Sequence, residues 1–186
     1  VSTLSRYPEV ITMDEQANDE EEVWNLLEEA LTGACEQFVE SRIAEGDKLK
    51  ADLIGKLDYM LELVDNIEDR SPGIIQEYRQ KLEDKVYELL SDSNIDESRI
   101  ATEVTIFADK ICVDEETVRL RSHIESTKDT LNEGGSVGRK LDFIAQEMNR
   151  EANTILSKAN DLDVSNWGIS LKTEIEKVRE QIQNIE

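Results

Sequence analysis

GGSVGRKLDFIAQEMNREANTILSK, residues 134–158, is the stretch whose reading decides the fold. Beyond its glycines, Leu141, Ala145, Met148, Ala152, Ile155, Ala159 and Leu162 recur at alternating four- and three-residue steps. That rhythm is the seam of a helix packed on another helix. It leaves Glu147, Arg150, Glu151, Thr154 and Lys158 on a second stripe. There Glu147 and Glu151 stand one helical turn apart, a spacing a divalent metal site uses. A solvated face of ion pairs, Glu147 with Arg150 or Glu151 with Lys158, has the same spacing, and periodicity by itself favours it.

Outward from this segment, helix periodicity is nearly continuous and no window alternates as a half-buried strand would. The expected fold is all-α, a long helical hairpin arm plus a bundle of antiparallel helices with heptad-like seams. After an irregular entry through Pro8, the acids Asp19–Glu22 suit a helix N-terminus. This first helix reaches Arg70, with Leu53, Leu57, Met60, Val64 and Ile67 in heptad spacing. A helix of about 50 residues is about 75 Å long, so it is expected to project as an arm. Ser71-Pro72 then reads as a cap with proline at the first position of a returning helix, which carries Ile75, Tyr78, Leu82, Val86 and Leu89 inward. Asn94 and Asp96 open a third helix with Ile100, Val104, Phe107 and Ile111, and Asp114 caps a fourth that ends at Gly134-Gly135. The last helix, from about Ser165, carries Leu171, Ile175, Val178, Ile182 and Ile185. The domain reading is an acidic hairpin arm over residues 1–92 and a helical bundle over 93–186.

The formal net charge of −22 in 186 residues argues against general adhesion to nucleic acid or anionic lipid. The charge is uneven. Residues 1–70 hold nineteen acids against six Lys and Arg, whereas residues 119–158 hold six acids against seven. A polyanion would therefore have to be met locally, on the second segment. Cys35 and Cys112 show no metal-binding or disulfide spacing and read as reduced cytosolic thiols. No apolar run reaches membrane-spanning length.

Glu116, Arg119 and His123 share a flank of the fourth helix, and His123 is the single histidine. A lone histidine beside an apolar stripe is more often structural. If helices four and five pack side by side, His123 approaches Glu147 and Glu151, a donor set for Mn²⁺, with Mg²⁺ suited to the carboxylates and water. Such an ion would help phosphodiester cleavage by activating an oxygen nucleophile and offsetting charge on the phosphate. The run from Gly134 to Lys140 brings flexible backbone, helix amides and two cations together, a combination that can hold phosphate. It lacks the ending of a Walker loop, and the glycines equally serve as a plain turn.

VRLRSHIE at 118–125, GGSVGRKLDFIAQEMNREANTILSKAND at 134–161 and LKTEIEKVREQIQNIE at 171–186 together resemble the C-terminal part of the YicC/YloC family of bacterial proteins. The likeness continues through ADKICVDEE at 108–116, YRQKLEDKVYELL at 78–90 and WNLLEEAL at 24–31. The family's MTGFG-like opening is missing, so the chain is expected to be the C-terminal portion of a longer protein, without its N-terminal domain. The resemblance implies a cytoplasmic endoribonuclease that works as a ring-like homo-oligomer, with a hexamer as one size, clamps RNA and uses a divalent metal, Mn²⁺ or Mg²⁺. On the matching positions, His123, Glu147 and Glu151 take the catalytic and metal-binding roles, and Arg119, Arg139, Lys140, Arg150 and Lys158 the RNA-binding ones. The alternative is an oligomerisation and RNA-holding module without a complete active site. A purely structural coiled-coil adaptor explains less of the charged stripe.

Overall fold

A computed structural model describes residue 3, residues 19–90 and residues 97–185. Pro8, expected at an irregular entry, and Asn94 and Asp96, expected to open a helix, lie outside the described residues, as does the side chain of Leu89. Among the described residues all regular structure is helical: α1 (Glu20–Leu90), α2 (Glu97–Ile111), α3 (Asp114–Glu133), α4 (Gly138–Lys158) and α5 (Leu162–Ile182). The fold is all-α. It divides into two units, Val1–Glu45 and Gly46–Glu186.

In the first unit, Asp19 starts α1: its carboxylate accepts from the Glu21 amide at 3.1 Å and its carbonyl from the Val23 amide at 3.0 Å. Glu20, Glu21 and Glu22 then sit at the positive end of the helix dipole. No residue from Glu20 to Glu45 is buried. Val23, Trp24, Leu27, Leu31 and Phe38 are among the large apolar side chains left in the open.

The expected turn at Ser71-Pro72 is not made, and the hairpin with it: Pro72 lies inside α1. Proline in a helix interior removes one amide donor and crowds the carbonyl four residues back, here that of Glu68. Two local contacts flank the proline. The Ser71 hydroxyl donates to the Ile67 carbonyl at 2.8 Å, and the Arg70 guanidinium reaches across the proline to both oxygens of Glu77, at 2.7 and 2.9 Å. Glycine at 73 makes room for that reach, since a Cβ there would stand 2.8 Å from Arg70 Nη1.

The second unit holds the core. Leu53, Leu57, Met60, Val64 and Ile67 of α1, read as a heptad stripe, are fully buried against Leu120 and Ile124 of α3, Leu141, Ala145, Met148, Ala152 and Ile155 of α4, and Leu171, Ile175 and Val178 of α5. The α4 seam ends one step early, however. Ala159 is only partly buried and Leu162 is 76% exposed, because α4 ends at Lys158 and Asp161 caps α5 by accepting from the amides of Asp163 and Val164. Asp114 likewise is not a cap but the first helical residue of α3, behind Val113.

Ion pairs set the helix order. Arg121 of α3 binds Asp65 and Glu68 of α1, and Lys128 meets Asp58 at 2.8 Å, so α3 runs antiparallel to this part of α1. The Arg121 guanidinium holds Glu68 below its ordinary carboxylate range. Arg70 adds a bond to Asp161 at 2.9 Å, tying α1 to the start of α5. At Gly168 the helices α4 and α5 come so close that a Cβ would meet Leu156 Cδ2 at 2.8 Å. Farther along α1, Tyr78 stacks on Phe107 of α2 with ring centres 3.7 Å apart.

Candidate functional site

The stripe that attracted attention in the sequence lies where α3 and α4 run side by side. Arg119 of α3 donates through Nε to Glu151 of α4 at 2.9 Å. Lys158 donates to both oxygens of Glu116 at 3.0 Å and to the Cys112 carbonyl at 2.9 Å. Arg119 also binds Glu115 and stands 3.6 Å from Glu116. Glu116 and Glu151 are buried, 4% and 5% exposed, so their charges are held by these cations rather than by water. The hydrogen bond that Arg119 donates to Glu151 raises the pKa of the guanidinium beyond its already high value.

These pairs fix the register. Residue 116 faces 158 and 119 faces 151, so α3 and α4 are antiparallel. One turn further along α3 comes His123, and one turn back along α4 comes Glu147. His123 and Glu147 are both half-buried. Glu147 stands 3.8 Å from Arg150, which is three-quarters exposed. Among the described residues no hydrogen bond or ion pair engages the His123 ring.

His123, Glu147 and Glu151 thus share one edge but do not form a three-ligand group, and no such group exists among the described residues. Glu151 is committed to Arg119. The expected phosphate contacts separate in the same way. Arg119 and Lys158 are engaged with buried carboxylates, whereas Lys140 has only an exposed pairing with Glu133 at 3.3 Å. Arg139 is exposed and makes no ion pair among the described residues. Gly134 and Gly135 adopt φ of 69° and 81°, the left-handed turn their sequence suggested. Gly138 packs on the Ile185 carbonyl, where a Cβ would stand at 2.8 Å. Glu116 was placed on the flank with Arg119 and His123 but given no role, because its partner Lys158 is far away in sequence.

The chain that builds this charged α3–α4 edge belongs, by its match to the family's models, to the YicC-like endoribonuclease family. The family's C-terminal model, "Endoribonuclease YicC-like, C-terminal", matches residues 67–186, and "Endoribonuclease YicC-like, N-terminal region" matches residues 1–51. The expectation that the chain lacks the family's N-terminal domain is therefore corrected, since residues 1–51 match part of that region. The chain is similar to the "Probable endoribonuclease YicC" of Clostridioides difficile (strain 630), 43% identical over 187 residues, covering all of this chain and 64% of that protein. The protein of the same description from Haemophilus influenzae is 36% identical over 188 residues, covering all of this chain and 63% of that one. The chain thus spans a little under two thirds of the length of these relatives.

Proposed function

We propose that the protein is an endoribonuclease, that RNA lies along the outer edge of the α3–α4 pair, and that His123 and Glu147 stand at the point of cleavage. The observation that carries this reading is the register set by Arg119–Glu151 and Glu116–Lys158, which brings the single histidine opposite a carboxylate that no buried cation claims. RNA supplies its own nucleophile in the 2′-hydroxyl. In this reading His123 accepts that proton as the oxygen attacks phosphorus, and returns it to the departing 5′ oxygen. Glu147 favours the imidazolium formed between the two transfers. Arg150, Arg139 and Lys140 meet phosphate oxygens, Arg as a planar fork and Lys as a point charge. Arg119, Glu151, Glu116 and Lys158 hold the two helices in register.

The residues fall short of a complete Mn²⁺ or Mg²⁺ site within the described chain, because Glu151 is held by Arg119. His123 and Glu147 are the ligands the edge offers. An ion bound there would offset charge on the phosphate. A ring-like homo-oligomer in the cytoplasm is the setting we favour, and the exposed apolar side chains from Val23 to Phe38 support it as surface a partner subunit would cover. Among the described residues no helix is long and apolar enough to cross a membrane.

Incubating the protein with RNA in Mn²⁺, in Mg²⁺ and in EDTA tests the proposal. Cleavage that is lost in His123→Ala supports it. Cleavage that persists undiminished in His123→Ala and Glu147→Ala refutes the assignment, and RNA that is bound but never cut favours the holding-module alternative.

A further inference from the structure

We propose that Phe143 is a stacking platform for a base of single-stranded RNA, set between the phosphate-binding cations of α4; this rests on the reading above that the α3–α4 edge meets RNA. α4 buries its apolar residues thoroughly: Leu141, Ala145, Met148, Ala152 and Ile155 are at 0% exposure. Phe143 breaks the pattern at 63% exposed. A single exposed apolar residue is ordinary on a protein surface. What distinguishes this one is its company.

Phe143 follows Arg139 by four residues, precedes Glu147 by four and Arg150 by seven. All four therefore lie on one outward stripe of α4. At 1.5 Å per residue the two arginines stand about 16 Å apart along the helix, with the ring about 6 Å from the first and about 10 Å from the second. An aromatic face bracketed by cations is the arrangement with which proteins hold single strands, since bases stack on the ring while phosphates meet the charges. Among the described residues the Phe143 ring stacks on no other aromatic side chain, and most of its surface is exposed. The net charge of −22 makes the local cations matter more, because a strand would be repelled elsewhere.

Two consequences follow for substrate choice. A base on Phe143 belongs to a nucleotide next to the one at Glu147, so stacking would unstack the strand beside the bond to be cut. A duplex hides its base faces and cannot use the ring, whereas every base has a π-face, so the platform selects single strands with little regard to sequence.

The test is fluorescence anisotropy of the protein with a labelled single-stranded RNA and with a duplex of equal length. Phe143→Ala and Phe143→Leu are expected to weaken single-strand binding roughly ten-fold, the scale of one lost base stack. Phe143→Tyr and Phe143→Trp are expected to retain it, and all four variants to bind duplex like the parent. Arg139→Ala with Arg150→Ala should weaken both RNAs and flatten the salt dependence. Binding by Phe143→Leu equal to the parent overturns the proposal, as does an equal loss for single strand and duplex. A change in mass by light scattering in Phe143→Ala, without a change in RNA affinity, makes the ring a subunit contact and also overturns it. No binding of either RNA by the parent protein refutes the functional reading itself.

Discussion

Glu151 and Glu147 stand one turn apart on α4, the first bonded to Arg119 and the second proposed above to stand at the point of cleavage, and substitution can separate these roles. Glu151 is 5% exposed and accepts the Arg119 Nε–H at 2.9 Å. Glu151→Ala removes an acceptor that serves a charged donor, an interaction of roughly 1.5–3 kcal/mol. The loss belongs at the lower end, because the freed guanidinium keeps Glu115 and has access to water, and because a buried carboxylate no longer needs desolvating. A destabilisation of about 1.5 kcal/mol corresponds to a fall of about 3–6 °C in Tm for a chain of this size. Glu151→Gln keeps the acceptor oxygen and the volume, so its fall is expected to be about half as large. Glu147, half-buried and 3.8 Å from an exposed arginine, contributes little to stability, within about 0.5 kcal/mol. Its removal is expected to cost cleavage roughly a hundred-fold, the lower range for acid–base catalysis. Thermal melts and RNA cleavage rates on the same three variants decide the matter. The reasoning is refuted if Glu151→Gln melts like the parent while its cleavage collapses, the signature of a ligand or reacting group rather than a strut.

His123→Ala is expected to abolish cleavage with a Tm close to the parent, since the ring makes no hydrogen bond among the described residues; a melt lowered by several degrees would make the histidine structural. Pro72→Ala should stabilise α1 by about 2 kcal/mol, the restored amide donor outweighing the extra freedom of the unfolded chain, and a lower Tm would show that the helix relies on the proline. Gly168→Val forces side-chain atoms onto Leu156 and should cost about 1–3 kcal/mol in denaturant titration, an unchanged midpoint meaning that Leu156 swings away freely. Acid should loosen the bundle. Burial pushes the Asp161 carboxyl up, but the Val164 amide and Arg70 together hold it below 3.8, while Arg121 and Arg70 hold Glu68 and Glu77 below 4.5. Depressed folded values give stability that is present above the unfolded values and lost as pH falls through the folded ones, so melts should weaken below about pH 4. Arg70→Ala is expected to flatten the part of that dependence due to Asp161 and Glu77, and an equally steep fall in the variant would exclude the two Arg70 pairs as its source.

The core was legible because burial imposes a period. The stripe from Leu53 to Ile67, and the seams of α4 from Leu141 to Ile155 and of α5 from Leu171 to Ile182, are patterns that packing helices produce, and they are buried where the spacing placed them. Pro72 was misread because the same residues spell a helix start and a helix interior. The difference lies in Arg70 reaching Glu77 and Asp161, the second of them 91 positions away. Glu147 and Glu151 looked alike for a related reason. Their spacing on α4 is equivalent, and only the position of Arg119 on another helix makes one a strut and leaves the other at the edge. Phe143 fell outside the seam, and exposure is a property that the sequence stripe could not weigh.

The bridge from Arg70 over Pro72 has a further consequence. A helix that passes a proline on charge pairs has a joint whose stiffness follows the solution. Added salt screens exposed pairs, so Glu77 should release first, while Asp161, with its side chain 15% exposed and bonded to two amides, should keep its hold. The middle of α1 would then pivot about its anchor at the start of α5, and ionic strength would set the bending of the helix without disturbing the core it helps to build.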